Sequence, residues 1–120
     1  MQKLSSSLRY AAKGVFYAFA KERNMKIHGA ATLLVVAAAV FFKITPLEWA
    51  VILLAIGLVI ALELINTAME ALVDLYTQEY RHLAAIAKDV AAGAVLFCSL
   101  IALIIGLIIF LPYITAFFRS

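Results

Sequence analysis

The sequence predicts an all-α integral membrane protein, with an N-terminal amphipathic surface helix followed by three transmembrane helices in a single domain over residues 1–120. Three observations lead there. The composition is 67% hydrophobic and only 14% charged, with a mean hydropathy of +1.07, far from the balance of a soluble domain. Three apolar stretches reach the roughly 18 residues that cross a hydrocarbon core about 30 Å thick. The polar breaks between them are short.

The expected elements are a surface helix over about residues 1–22 and spans over about 27–43, 47–76 and 83–118. The first span is tight, which places His28 and Lys43 in the interfaces. Pro46 can open the second span, and Thr77 to His82 form the polar run before the third. Short connections imply antiparallel neighbours. No cleavable signal peptide is expected, because the basic start precedes a mixed segment with no immediate apolar core. Cys98 is the only cysteine, so an intrachain disulfide and a cysteine-based metal site are both excluded.

Lys3, Arg9, Lys13, Lys21, Arg23, Lys26, Arg81 and Lys88 fall on one side of the predicted topology, with only Lys43 and Arg119 opposite. This asymmetry predicts a cytoplasmic N-terminus and 77–82 loop. The net charge of +3 then reflects anionic lipid and calls for no nucleic acid. At 100° per residue Leu4, Leu8, Ala12, Val15, Phe16 and Phe19 fall in an arc of about 120°, as in a helix lying along the interface. Tyr10 and Tyr17 lie on the polar side, suited either to headgroup anchoring or to a nucleotide or partner subunit.

Glu63, Asn66, Glu70 and Asp74 follow one another at spacings of three, four and four, which keeps them on one helical face. Carboxylates near a membrane span are costly, about 2.5–3.5 kcal/mol for an aspartate at mid-bilayer, so they usually serve a function. Glu63 follows fourteen apolar or glycine residues, Trp49 to Leu62, and lies deeper than Glu70. Glu22 and the adjacent pair Lys88-Asp89 can complete a site, although Glu22, among Lys21, Arg23 and Lys26, reads equally as a surface ion-pair partner. His28 and His82 lie near helix ends, where lone histidines are more often solvated than catalytic. Oxygen ligands without cysteine suit Mg²⁺, which commonly binds one or two carboxylates plus substrate phosphates. A metal, a cation for phosphates and a carboxylate to receive a hydroxyl proton are the needs of phosphoryl transfer. The isolated glycines form neither a Walker loop nor a protein-kinase glycine loop.

The run Glu63-Leu-Ile-Asn-Thr-Ala-Met-Glu-Ala-Leu-Val-Asp74, then Glu79-Tyr80 and Ala87-Lys-Asp89, resembles the signature of the prokaryotic diacylglycerol kinase family over nearly the whole chain. The resemblance implies a homotrimeric membrane lipid kinase of the bacterial inner membrane, using ATP and Mg²⁺. It puts the general base on Glu63, the metal-binding carboxylates on Glu22 and Glu70, and nucleotide-contacting or otherwise essential positions on Asn66, Asp74, Lys88 and Asp89. Tyr10 and Tyr80 match aromatic residues near the nucleotide, and Asp89 is expected to orient Lys88. Glu22-Arg-Asn-Met-Lys-Ile-His28 resembles the undecaprenol kinase branch, where a histidine replaces an acidic residue, and Ala92 stands where the diacylglycerol branch has serine. The implied substrate is therefore undecaprenol, with diacylglycerol as the alternative. A proton-coupled carrier is a distant third, because its polar groups should lie near the bilayer midplane.

Overall fold

The computed structural model describes Gln2 to Ser120; Met1, where the expected surface segment begins, lies outside the described residues. Four helices follow in order: α1 (Gln2–Lys21), α2 (Arg23–Phe42), α3 (Pro46–Tyr76) and α4 (His82–Arg119). Among the described residues, α2, α3 and α4 are the helices long and apolar enough to cross a membrane. The helix that carries the first span starts at Arg23, ahead of the apolar stretch itself. The chain breaks only at Glu22, which is extended at φ −94° and ψ 124°, and the polar residues from Arg23 to Lys26 are already helical.

Local chemistry fixes each connection. Lys43 is left-handed, at φ 53° and ψ 55°. Its N–H donates to the Val40 carbonyl and the Ile44 N–H to the Ala39 carbonyl, each at 3.3 Å. This is a Schellman end with its apolar contact in place, since Ala39 and Ile44 are both buried. Thr45 then caps α3: Glu48 N–H donates to Thr45 Oγ1 at 3.2 Å and Thr45 N–H donates to Glu48 Oε1 at 2.9 Å. That reciprocal capping box, with Pro46 in the first turn, satisfies two amides that the helix cannot pair internally.

Packing divides the molecule into two ends. At one end Ala39, Ile44, Ile52, Ile109 and Phe110 form a buried cluster, and Phe42 lies against Phe110 and Tyr113 with ring centroids 6.3 and 5.9 Å apart. In lipid such contacts hold by dispersion and close fit, because apolar side chains gain nothing there from leaving water. The Tyr113 hydroxyl also donates to Glu48 Oε1, joining α4 to the start of α3. At the other end α1 folds onto α2 and α3, burying Ala18 and Met25. Gly29 makes room for that fold: a Cβ there would stand 3.2 Å from Phe19 Cε1. The whole is a slab of 58 × 43 × 21 Å, about two helix diameters thick.

Candidate active site

The acidic stripe of α3 lies at the end opposite the aromatic cluster. Glu63 is 1% exposed and Asn66 5%, while Glu70 is half-buried and Asp74 exposed. Eleven residues of helix separate Glu63 from Asp74 along the axis, about 16 Å at 1.5 Å per residue, so the stripe runs from a dry interior to a wet rim. A carboxylate as enclosed as Glu63 needs donors or a positive neighbour. Its neighbour is His28 of α2, whose Nε2 stands 3.5 Å from Glu63 Oε2. This oxygen accepts no hydrogen bond among the described residues.

The next turns are paired differently. Asn66 Nδ2 donates to Glu70 Oε1 at 2.9 Å, the one-turn spacing that brings side chains together on a helix. Asn66 Oδ1 keeps a free acceptor position among the described residues. Lys88 Nζ donates to Asp74 Oδ1 at 2.6 Å. Lys88 therefore finds its partner across the helix pair, and the expectation that Asp89 orients it gives way to Asp74. Adjacent residues on a helix point about 100° apart and do not face each other, and Asp89 is exposed.

The remaining candidates lie further out. Glu22 sits half-buried at the α1–α2 break, and among the described residues its side chain makes no capping hydrogen bond. Tyr10 is exposed, with Arg9 and Lys13 at 5.9 and 6.0 Å from its ring centre. Tyr80 is 82% exposed in the loop before α4. Tyr17, from the same side of α1 as Tyr10, instead lines a hollow of about 410 Å³ against α3, beside Thr67. His28, which its place near a helix end marks as more often solvated than catalytic, instead stands against Glu63. No spacing within α2 marks it, because its significance comes from α3.

An apolar groove of about 230 Å³ lies between α2, α3 and α4, and His28, the neighbour of Glu63, is among the residues that line it. Val35, Ile52, Ala55, Val59 and Gly106 line it, and His28 and Ser99 stand at its polar end. Among the described residues no three of His, Cys, Asp and Glu gather into a metal cluster. Glu70 nonetheless suits a cation that draws most of its other ligands from a substrate's phosphates, which is how Mg²⁺ commonly binds.

Residues 9–110 match the family described as prokaryotic diacylglycerol kinase. The chain belongs to this family. The matched segment holds every candidate named above, and with the three apolar helices it makes the chain a multi-pass membrane protein. Undecaprenol kinase of Bacillus subtilis is 41% identical over 112 residues, covering 93% of this chain and 91% of the relative. A diacylglycerol kinase of Synechocystis is 48% identical over 107 residues, 88% of this chain but 61% of that longer protein. The Escherichia coli K12 diacylglycerol kinase is 33% identical over 95 residues, covering 79% and 78% of the two chains.

Proposed function

We propose that this protein is a lipid kinase that transfers the γ-phosphate of ATP to the terminal hydroxyl of undecaprenol at the cytoplasmic face of a bacterial membrane. The observation that carries the reading is the buried Glu63 Oε2, which accepts no hydrogen bond among the described residues and whose neighbour His28 also lines an apolar groove between α2, α3 and α4. A lipid alcohol lying in that groove would bring its hydroxyl to the carboxylate while its chain stays in apolar surroundings.

Glu63 accepts the hydroxyl proton as the alcohol oxygen attacks the γ-phosphorus. The bond from that phosphorus to the β-phosphate oxygen breaks and ADP leaves. Lys88, held by Asp74, meets the phosphate charge. Glu22 and Glu70 would hold Mg²⁺, whose chemistry there is to offset charge on the β- and γ-phosphate oxygens. Asn66 fixes the Glu70 carboxylate through its amide. Tyr10, Tyr80 and Asp89, all exposed, are positions for contact with the nucleotide. The depth of Glu63 keeps water from competing with the alcohol.

A homotrimer with a shared site is part of this reading: Glu22 lies at the α1–α2 break and Glu70 on α3, so a neighbouring copy can supply Glu22. The basic residues of α1 and of the 77–82 loop favour the cytoplasmic side, with α1 lying along the surface and Leu4, Leu8 and Phe16 in the acyl region.

Diacylglycerol is the second reading, favoured by the names of the Synechocystis and Escherichia coli relatives. The groove favours the polyprenol. Two ester groups would need partners there, and beyond His28, Thr32 and Ser99 its lining is aliphatic. The test is purified protein in micelles with ATP, Mg²⁺ and either alcohol, comparing wild type with Glu63→Gln. Transfer to undecaprenol should exceed transfer to diacylglycerol, and the variant should lose about 10²–10⁴-fold. Absence of transfer to any lipid alcohol sinks the kinase reading; near-normal turnover by the variant removes Glu63 as the base.

A further inference from the structure

His28 belongs to α2, a helix away from the acidic stripe, yet it stands over the carboxylate assigned as base. The 3.5 Å between His28 Nε2 and Glu63 Oε2 exceeds the ordinary N–H···O range, and Oε2 accepts no hydrogen bond among the described residues. The pair is thus close without being closed. His28 also lines the apolar groove at the end where Ser99 enters, so a chain lying in the groove would have its head beside both groups. The backbone around His28 is held independently of this role, because Thr32 Oγ1 donates to the His28 carbonyl at 2.8 Å.

We propose that His28 is a substrate-binding residue that grips the oxygen of the lipid alcohol. In the tautomer with its proton on Nε2, the imidazole donates to the alcohol oxygen, while the alcohol donates its own proton to Glu63 Oε2. This rests on the lipid kinase reading and adds a second group at the reacting atom. The assignment follows from the valence of the oxygen. A hydroxyl oxygen carries two lone pairs; the imidazole occupies one, and the other is left to attack the γ-phosphorus. Fixing two of its contacts sets the direction of the third, which is how orientation is converted into rate. When transfer occurs the O–H proton stays on Glu63 and the His28 proton does not move. His28 therefore binds and aims the alcohol without changing its protonation.

The discriminating variants are His28→Leu, which removes the donor and keeps an apolar volume, and His28→Gln, which keeps an N–H at similar reach. In micelles His28→Leu should raise the KM for undecaprenol and lower kcat/KM for it by about 10- to 100-fold, with the KM for ATP unchanged within twofold. His28→Gln should recover most of that loss. A readout without turnover runs beside it: undecaprenol added without nucleotide should raise the thermal midpoint of wild type and of His28→Gln, and much less that of His28→Leu. Equal stabilisation of all three by undecaprenol overturns the proposal, as does a His28→Gln no better than His28→Leu. Wild type that is stabilised by undecaprenol but transfers no phosphate would defeat the kinase reading alone, and the comparison of the three midpoints would still decide the role of His28.

Discussion

Lys88 Nζ and Asp74 Oδ1 lie 2.6 Å apart, tying the last turn of α3 to the second turn of α4 across the 77–81 loop. The two side chains remain 40% and 50% exposed, and water screens such a pair, so little of the fold's stability rests on it. In the proposed reaction the contact aims a cation. It holds the ammonium beside the acidic stripe, where phosphate charge would otherwise meet only carboxylates.

Lys88→Met is therefore expected to lower kcat/KM for ATP by about 100-fold or more while leaving the thermal midpoint in micelles nearly unchanged. Asp74→Ala keeps the cation and loses its tether, so a smaller loss, about 10-fold, is expected. The double variant should be scarcely worse than Lys88→Met alone, because without the cation there is nothing left to aim. Steady-state kinetics on the three variants check this, and a double variant showing the product of the two single losses would mean that Asp74 acts independently.

Glu70 and Asn66 separate along the metal axis. Glu70→Gln removes a carboxylate and should raise the Mg²⁺ concentration for half-maximal turnover by about 10-fold or more. Asn66→Ala removes only the amide that fixes Glu70 Oε1 at 2.9 Å, and its shift should be smaller. Titration of turnover with Mg²⁺ at saturating ATP measures both; equal half-saturation in Glu70→Gln and wild type would take Glu70 out of the metal set.

The three long apolar helices were legible because a bilayer demands about 20 apolar residues per crossing, and little else produces such stretches. The burial of Glu63 was legible too, from the fourteen apolar or glycine residues ahead of it. Periodicity places residues on a face of their own helix but does not say which face of a neighbour meets it. For that reason neither the approach of His28 to Glu63 nor the pairing of Lys88 with Asp74 could be read from spacing, and the expectation that Asp89 orients Lys88 rested on adjacency. Thr45-Pro-Leu-Glu48 is different. Its capping-box pattern stands in the sequence, and it was read only for its proline. That Tyr113 would join Glu48 depends on how the far end of α4 packs.

Thr45, Glu48 and Tyr113 provide a test of stability without chemistry. Thr45→Ala should cost about 0.5–2 kcal/mol, the usual loss for an N-cap, and Tyr113→Phe should lower the thermal midpoint by removing the hydroxyl that Glu48 Oε1 accepts. Glu63 lies seventeen residues along α3 from Pro46, about 26 Å, so turnover should be unaffected at temperatures where both variants are folded. Unfolding curves paired with turnover at low temperature check this. A loss of kcat in a folded Tyr113→Phe would show that the two ends of the slab are coupled.

Lys43→Gly tests the sign of two opposed effects at the α2–α3 turn. A side chain in the left-handed region costs about 1–2 kcal/mol relative to glycine, and Lys43 holds φ 53°. Against this, a cation just past a helix C-terminus contributes about 0.3–1 kcal/mol through the helix dipole, which glycine forfeits. The conformational effect is the larger, so the variant should be more stable by about 0.5–1 kcal/mol, with turnover unchanged. Lys43→Ala separates the two, since it loses the charge and keeps the strain, and should be less stable than wild type. Denaturant unfolding in mixed micelles gives the order. Glycine above lysine above alanine is expected, and a glycine variant weaker than wild type would mean that the charge at this turn outweighs the backbone.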